Sequence, residues 1–201
     1  MLKRVFRVLC MGAFIAVPIM IPTPPVQAAH IVQPGEAFWK IAQAYDMDLN
    51  DLIKLNPHIP NPNRISPGDK MVVRSGDVAS DIVDYARALQ GVTVYQYGGQ
   101  QAPKLTDCSG WVQAIYKEFG IDLPRVSRDQ AKVGTPVRFQ DMKKGDLMFF
   151  STRADKVITH VGITMDNDFW ISNLSSKQDV EILSNWGPWT QKYFLWAQRV
   201  I

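Results

Sequence analysis

Residues 107–125 read DCSGWVQAIYKEFGIDLPR and predict an amphipathic helix that begins at a cysteine. Apolar side chains recur in it at helical spacing, and Gly120 marks its C-terminal end. Thr106 or Asp107 can cap the helix, which places Cys108 in its first turn. The unsatisfied N–H groups and the positive end of the helix dipole favour a thiolate there, although the carboxylate of Asp107 opposes it. Cys108 is therefore a candidate nucleophile.

A nucleophilic cysteine needs a base, and one histidine of the chain is suitably placed. His30 and His58 lie near the N-terminus, whereas His160 lies in the strand-like stretch VITHVGITM at residues 157–165. A single histidine on a strand is more often structural, but a cysteine at a helix start in the same region favours a catalytic pair. The imidazole would take the thiol proton, and the free N–H groups of the helix would hold the oxyanion of a tetrahedral intermediate.

Residues 1–28 have the features of a signal peptide. Basic residues open the chain, an apolar run covers residues 8–21, and VQA at residues 26–28 resembles a cleavage site. The run is short for a membrane span and contains Pro18. We therefore expect an exported protein that acts in the cell wall, the periplasm or the extracellular space, with no membrane partner once the peptide is removed.

Removal of this segment leaves a neutral chain. The whole sequence has 22 basic and 19 acidic residues, and the charged residues of the segment are Lys3, Arg4 and Arg7. The mature chain then carries 19 of each sign, which gives no reason to expect a nucleic-acid partner. Cys10 is lost with the segment, so Cys108 becomes the single cysteine of an exported protein and has no disulfide partner within the chain.

Residues 29–74 predict a small βααβ unit. A short strand leads into a turn at Gly35, a first helix follows, and Asp48 or Asn50 can cap a second helix. Prolines end that helix, and a turn at residues 67–69 leads into a closing strand. The opening VQPGEAFWKIA (32–42) and the closing NPNRISPGDKMVV (61–73) make this unit resemble a LysM module.

The LysM resemblance implies that residues 29–74 bind the glycan strands of peptidoglycan. The implied groove lies between the loops near residues 35–38 and 58–63. The predicted glycan-binding residues are Gly35, Glu36, Phe38, Pro60 and Asn61. Large apolar side chains in these loops are also expected to contribute to the core of the unit. Residues 75–78 are predicted to be a linker.

Residues 79–201 resemble the NlpC/P60 domains, which are papain-like cell-wall cysteine peptidases. The resemblance rests on four motifs in the family's order: YQYGG (95–99), DCSGWVQAIYKEFGIDLPR, KKGDLMFF (143–150) and THVGITM (159–165). It implies an α+β fold in which helices pack on an antiparallel sheet. It also implies hydrolysis of peptide stems, typically at the γ-D-glutamyl bond to the diamino acid.

The same resemblance assigns roles to individual side chains. Cys108 is the implied nucleophile, His160 the base, and Tyr95 a residue that assists the oxyanion. Asp107 and Ser109 match residues that hold the free amino end of the stem. An ammonium group bound there would also explain why a carboxylate stands beside the thiol.

The sequence departs from the family at the third catalytic position. The family usually has a histidine twelve residues after the base, and this chain has Ser172 there, followed by Asn173, in FWISNLSS (169–176). A three-residue loop at residues 166–168 would put Ser172 on the face of His160, whereas a two-residue loop would put Asn173 opposite it. The family's spacing favours Ser172, and chemistry favours Asn173 because a side-chain amide can fix an imidazole tautomer.

Nothing in the sequence indicates a cofactor or a metal site. One cysteine and one histidine cannot complete a tetrahedral zinc site, and Gly98-Gly99 is too short for a phosphate loop. The predicted function is therefore a wall-anchored thiol hydrolase of stem peptides, with peptidoglycan as its partner. Two alternatives stay open, a wall-binding protein weakened in catalysis and an acyltransferase that uses the same Cys-His pair.

Overall fold

The computed structural model describes residues 29–74 and 76–201. The predicted signal peptide at residues 1–28 lies outside the described residues, as does Ser75 of the predicted linker. In the part of the chain that is described, no helix has the length and apolar character needed to cross a membrane.

The N-terminal unit has the predicted βααβ order. Its elements are β1 (Ala29–Ile31), α1 (Phe38–Ala44), α2 (Leu49–Leu55) and β2 (Lys70–Val72), and β1 pairs antiparallel with β2. Asp48 caps α2, because its carboxylate accepts hydrogen bonds from the first N–H groups of that helix. The core of this unit is formed by Val32, Phe38, Ile41, Ala42, Leu52, Met71 and Val73.

The C-terminal unit is built on one antiparallel sheet. Its elements are α3 (Val78–Ala88), β3 (Val94–Tyr95), β4 (Leu105–Thr106), α4 (Cys108–Glu118), α5 (Ser127–Gln130), β5 (Thr135–Val137), a 3₁₀ turn (Phe139–Asp141), β6 (Leu147–Phe150), β7 (His160–Thr164), β8 (Phe169–Ser175), β9 (Asp179–Ser184), α6 (Pro188–Tyr193) and β10 (Phe194–Arg199). Six strands form the sheet in the order β5-β10-β6-β7-β8-β9. The predicted α+β class is confirmed.

The two faces of this sheet carry different cores. Helix α4 packs on β7 and β8, and its Trp111, Val112 and Ile115 share a core with Val161 and Ile163. Alternation along a strand sends every second side chain to the opposite face. That second face is covered by α6 and is lined mainly by Met148, Phe150, Trp170, Trp189 and Ala197.

The loop between β7 and β8 sets the register of the catalytic candidates. The N–H of Met165 donates to the carbonyl of Phe169, so residues 166–168 form a three-residue loop. Ile163 then lies opposite Ile171, and Thr164 lies opposite Trp170. With this register Ser172 shares the face of His160, and Asn173 lies on the other face.

The two units pack against each other next to the segment that joins them. Leu55 and Val72 of the N-terminal unit belong to the core of the C-terminal unit, where Ile82 of α3 also lies. Arg74 Nη2 donates to the carbonyl of Glu118 at the end of α4. Helix α3 begins at Val78, inside the predicted 75–78 linker. The limits of the predicted domains stay a prediction.

Candidate functional site

Cys108 is the first residue of α4, as predicted. Asp107 is the N-cap, and its Oδ1 accepts from the N–H of Gly110. The helix turns the cysteine toward the sheet, so that only 6% of its surface is exposed. The backbone N–H of Val161 in β7 lies close enough to the sulfur to lower the pKa of Cys108. The thiol is thus held between the helix start and the strand that carries His160.

Burial decides the protonation state of this pair. It raises the pKa of Cys108 to about 11, and Asp107 raises it further against the N–H groups of Val161, Ser109 and Cys108 itself, which lower it. Burial also lowers the pKa of His160 to about 4. The N–H groups at the helix start lower the pKa of Cys108, as the sequence predicts, but the loss of hydration on burial outweighs them. At neutral pH the pair is an uncharged thiol and an uncharged imidazole.

The hydrogen bonds of Ser172 fix the tautomer of His160. Ser172 Oγ lies 2.9 Å from His160 Nε2 and 2.8 Å from the carbonyl oxygen of Val161. A hydroxyl has a single proton, and a carbonyl can only accept. The proton of Ser172 therefore goes to Val161, and its oxygen accepts from the Nε2–H of His160. The neutral imidazole then carries no proton on Nδ1, which is the basic nitrogen.

The remaining surroundings of His160 are aromatic. Its ring lies about 6 Å, between centroids, from the rings of Phe150, Trp170 and Trp189. These rings shield the imidazole from water, and His160 is 8% exposed. Among the described residues, no hydrogen bond joins His160 to Cys108, and the bond to Ser172 is the one that the imidazole ring makes.

Asn173 has a different task from the one that chemistry alone favoured. Its side chain lies on the α4 face, where Nδ2 donates to the carbonyl of Thr106 at 2.7 Å, and its Oδ1 is buried without a hydrogen-bond partner. Thr106 ends β4 two residues before Cys108. Asn173 therefore ties β8 to the segment that leads into α4, and Ser172 is the side chain that reaches the imidazole.

Asp107 is surrounded by donors of its own chain. Arg125 binds it with two parallel bonds, Nη1 to Oδ1 at 2.8 Å and Nη2 to Oδ2 at 3.0 Å. Ser109 Oγ and the N–H groups of Gly98 and Gly110 donate to the same carboxylate. Burial opposes its ionisation, but the bonds from Arg125, Gly110 and Gly98 outweigh burial and keep the pKa of Asp107 low. Asp107 is a paired carboxylate.

A cleft of about 600 Å³ opens over Cys108. It is lined by Tyr95, Tyr97, Gly98, Gln100, Asp107, Cys108, Ser109, Arg125, Val126, Ser127, Arg128, Arg153, Ile158 and Thr159. Tyr95 sits on its wall, and its N–H donates to Asp179 Oδ1 at 2.8 Å. The structure thus brings Tyr95, Asp107, Cys108 and Ser109 together on one surface.

Sequence reasoning missed two side chains that build this surface. Arg125 is the last residue of the 107–125 motif and is the cation that pairs with Asp107. The signal in the sequence is the carboxylate of Asp107 beside a thiol, because such a carboxylate needs a positive partner. Gln130 Nε2 donates to the carbonyls of Ser109 and Pro124, which holds α5 against the start of α4. No local pattern marks Gln130, because its partners are main-chain atoms.

The predicted glycan-binding residues lie in two loops of the N-terminal unit and at the first residue of α1. Gly35, Pro60 and Asn61 are exposed, whereas Phe38 is 4% exposed and packs in the core, so its ring is not on the surface. Glu36 Oε2 accepts from the N–H of Gln33 and is hydrogen-bonded to His30 Nε2. The glutamate thus shapes its loop from within.

No group of three or more metal-ligating side chains of the His, Cys, Asp or Glu type is found in residues 29–74 and 76–201. The cleft presents the thiol of Cys108, the hydroxyl of Ser109 and the paired carboxylate of Asp107, whereas His160 and Ser172 are not among the residues that line it.

Two family models match this chain. The NlpC/P60 family model matches residues 91–199, and the LysM domain model matches residues 30–74. The first match covers more than half of the chain, and the second covers the unit that precedes it.

Named relatives are similar over most of the chain. One is the murein DD-endopeptidase MepS/murein LD-carboxypeptidase of Escherichia coli K12, which is 37% identical over 131 residues, 65% of this chain and 67% of the relative. Another is the gamma-D-glutamyl-L-lysine dipeptidyl-peptidase of Bacillus subtilis, 36% identical over 179 residues, 81% of this chain and 60% of the relative.

Solved structures share the fold. An NlpC/P60 family protein from Bacillus cereus superposes with a TM-score of 0.56 at 25% identity, over 69% of this chain and 48% of that one. A lipoprotein-like NLP/P60 protein from Staphylococcus aureus gives 0.53 at 29% identity, over 62% and 42%.

Proposed function

This chain belongs to the NlpC/P60 family and carries a LysM domain, and from that premise we propose that it is an exported peptidoglycan hydrolase that cleaves stem peptides with a Cys-His pair. The observation that carries the proposal is the cleft over Cys108. There a thiol at a helix start adjoins the strand of His160, whose tautomer is fixed by Ser172. A thiol at the start of a helix and a histidine in the strand whose backbone reaches that thiol supply the nucleophile and the base that acyl transfer needs.

The neutral pair favours a mechanism in which the proton moves as the sulfur attacks. Cys108 Sγ adds to the carbonyl carbon of the stem peptide while His160 Nδ1 takes the thiol proton. The carbonyl oxygen becomes an oxyanion next to the first N–H groups of α4, and Tyr95 stands on the same wall to assist it.

The second half of the reaction returns the proton. The imidazolium protonates the leaving amine, so the C–N bond breaks and a thioester remains on Cys108. Water then adds to the thioester with His160 as base, and the acid product and the free thiol are released. Throughout, the Nε2–H of His160 stays on Ser172 Oγ, which leaves Nδ1 as the nitrogen that takes up and returns the proton.

The bond that we propose is the γ-D-glutamyl bond to the diamino acid. The name of the Bacillus subtilis relative supports it, since that enzyme is a gamma-D-glutamyl-L-lysine dipeptidyl-peptidase. The Escherichia coli relative is named for two other bonds. Digestion of defined wall fragments, read by mass spectrometry, assigns the bond directly.

The LysM unit would hold the enzyme on the glycan. Gly35, Pro60 and Asn61 are exposed in the two loops that would form the groove, and Trp39 is 57% exposed beside them. Tethering to the polymer raises the effective concentration of stems at the cleft. Deletion of residues 29–74 is expected to abolish the sedimentation of the protein together with insoluble wall.

The test of the catalytic pair is the release of new amino termini from purified wall. Cys108→Ala is expected to abolish release, and His160→Gln to reduce it to near the same level. Lys177→Gln, which changes an exposed residue outside both the cleft and the glycan-binding loops, is the control and should keep full activity. Residual activity of Cys108→Ala at the wild-type level would overturn the mechanism.

Two observations favour a second candidate, a wall-binding protein weak in catalysis. The third position is a serine hydroxyl, and the pKa of Cys108 is raised, both of which slow a thiol enzyme. Binding to wall without release of amino termini would support it. An acyltransferase with the same pair would instead give products heavier than those of hydrolysis by the mass of the acceptor less water.

A further inference from the structure

The charges that line the cleft are mostly positive. Three arginines, Arg125, Arg128 and Arg153, and one carboxylate, Asp107, belong to its wall. A cleft with this lining attracts an anion and repels a cation near the thiol.

Asp107 is a poor receptor for the amino end of a stem. Its two oxygens already accept five hydrogen bonds, two of them from Arg125. The guanidinium of Arg125 neutralises the carboxylate at 2.8 Å. An incoming ammonium group would have to displace a bidentate arginine or share its carboxylate with it, and no second carboxylate lines the cleft to compensate.

Arg128 is the arginine of the cleft whose charge is unused. Arg153 is held by Asp155, with Nη2 2.6 Å from Oδ2. Arg128 is exposed, and its Nε donates to the carbonyl of Ile158 at 3.4 Å. Within residues 29–74 and 76–201, the structure gives Arg128 no acidic partner and leaves both Nη groups without a hydrogen bond. The bond to Ile158 holds the guanidinium beside the loop that leads into His160.

We infer that Arg128 binds a free carboxylate of the substrate next to the scissile bond, and that the cleft takes stem peptides whose amino end is acylated. This inference rests on the proposed function, since it names the substrate class of the same cleft. The two Nη groups of an arginine match the two oxygens of a carboxylate, which a lysine cannot do with the same geometry. An acylated amino end brings no positive charge to a wall where the guanidinium of Arg128 has no acidic partner among the described residues.

Two carboxylates of a stem peptide are candidates for the ligand. One is the α-carboxylate of a γ-linked glutamyl residue on the acyl side of the bond, and the other belongs to the diamino acid on the amine side. They share one chemistry, so the experiment replaces each in turn by a carboxamide.

The experiment measures equilibrium binding by calorimetry, with the Cys108→Ala protein so that no turnover occurs. The probes are an N-acetylated stem peptide, its two single carboxamides, and the same peptide with a free amino end. The N-acetylated peptide is expected to bind at least as tightly as the free-amine form. One of the carboxamides is expected to bind about tenfold more weakly, as for the loss of one charge-assisted pair.

The arginine variants then assign the effect. Arg128→Gln in the same background should lower the affinity for the parent peptide about tenfold, so that the variant binds the parent peptide and that carboxamide equally well. The affinity of Arg128→Lys for the parent peptide should lie between those of Arg128→Gln and the unchanged arginine. Arg138→Gln, which removes an exposed arginine paired with Asp141 outside the cleft, should change nothing.

Other outcomes overturn the inference. These are equal affinities for the parent and both carboxamides, undetectable binding of every peptide, or tighter binding of the free-amine peptide. An inactive wild-type protein that still distinguishes carboxylate from carboxamide through Arg128 would contradict the hydrolase and keep the inference, so the two failures are distinguishable.

Discussion

Ser172 has one hydroxyl proton, and the destination of that proton decides which nitrogen of His160 is basic. Donation to the carbonyl of Val161 leaves the oxygen as an acceptor for Nε2–H. A hydroxyl can hold an imidazole tautomer without carrying charge, whereas a histidine at the same position could itself titrate. The serine is buried completely, so water does not compete for either bond.

The first prediction concerns removal of that hydroxyl. Ser172→Ala should lower kcat by about tenfold to a hundredfold, because a base that is no longer oriented spends less time in the reactive geometry. The ¹⁵N spectrum of His160 should change from protonation at Nε2 to a mixture of tautomers. Ser172→Thr, which keeps the hydroxyl, should keep the Nε2 tautomer.

A merely structural role of Ser172 would give another pattern. Ser172→Ala would then lower the melting temperature while the ¹⁵N shifts of His160 and the kcat of the folded protein stayed as in the wild type. That pattern would contradict the tautomer argument.

The second prediction concerns the reactivity of the thiol. Because burial raises the pKa of Cys108 to about 11, alkylation by iodoacetamide should be slow at pH 7 and should accelerate as the pH rises from 9 to 11. A rate plateau beginning near pH 6 would mean a preformed thiolate and would contradict the neutral pair. A free cysteine peptide, alkylated in parallel, is the control.

The raised pKa of Cys108 also makes the stability of the folded protein depend on pH. The folded protein keeps the thiol proton at a pH where the unfolded chain releases it. The contribution of Cys108 to stability is therefore complete below pH 9 and is lost as the pH rises toward 11.

Among the elements, α4 and the β7–β8 hairpin do most to position the site. The helix was predictable because its cap, its apolar face and its terminal glycine are all local signals. The hairpin register was reduced to two choices, since a strand has a period of two. The choice between the two registers depends on whether Phe169 or Asp168 pairs with the end of β7. The carboxylate of Asp166 favours the three-residue loop, because its Oδ1 accepts from the N–H groups of Asp168 and Phe169.

The third prediction concerns the tight start of α4. A Cβ at Gly110 would clash with Thr106 Oγ1 and with the guanidinium of Arg125. Alanine has the better helix propensity by about 1 kcal/mol, but displacement of a buried threonine and of the Asp107 partner outweighs it. Gly110→Ala should therefore lower the free energy of unfolding by about 1–3 kcal/mol.

Urea denaturation measures this change, with Lys117→Ala on the exposed side of the same helix as the control. Lys117→Ala should change stability by less than about 0.5 kcal/mol. An increase in stability for Gly110→Ala would mean that helix propensity dominates and that Arg125 moves without cost.

In the whole molecule, the LysM unit is packed against the C-terminal unit near the end of α4 that is remote from Cys108. Sequence patterns distinguished the two units well, because each has its own periodic segments. The contact between them was not predictable, since Leu55 looks like any apolar residue of α2, and its neighbour Ile82 is distant in sequence. Tertiary contacts of this kind leave no local trace.

The last prediction tests whether the units unfold together. Leu55 is 1% exposed and packs in the core shared with α3 and α4, whereas Leu52 of the same helix is fully buried within the N-terminal unit. Each change to alanine should cost about 2–5 kcal/mol locally, because both leave a cavity of similar size. Leu55→Ala should destabilise the C-terminal unit as well. The measurement is the denaturation midpoint of the fluorescence of the buried Trp111 and Trp170, which should be lower than in the wild type.

The control is Leu52→Ala. This change should shift only the signal of the N-terminal unit if the units unfold separately, and should shift both signals if they unfold as one. Equal midpoints of the C-terminal signal in Leu55→Ala and the wild type would mean that the contact contributes nothing to the stability of the C-terminal unit.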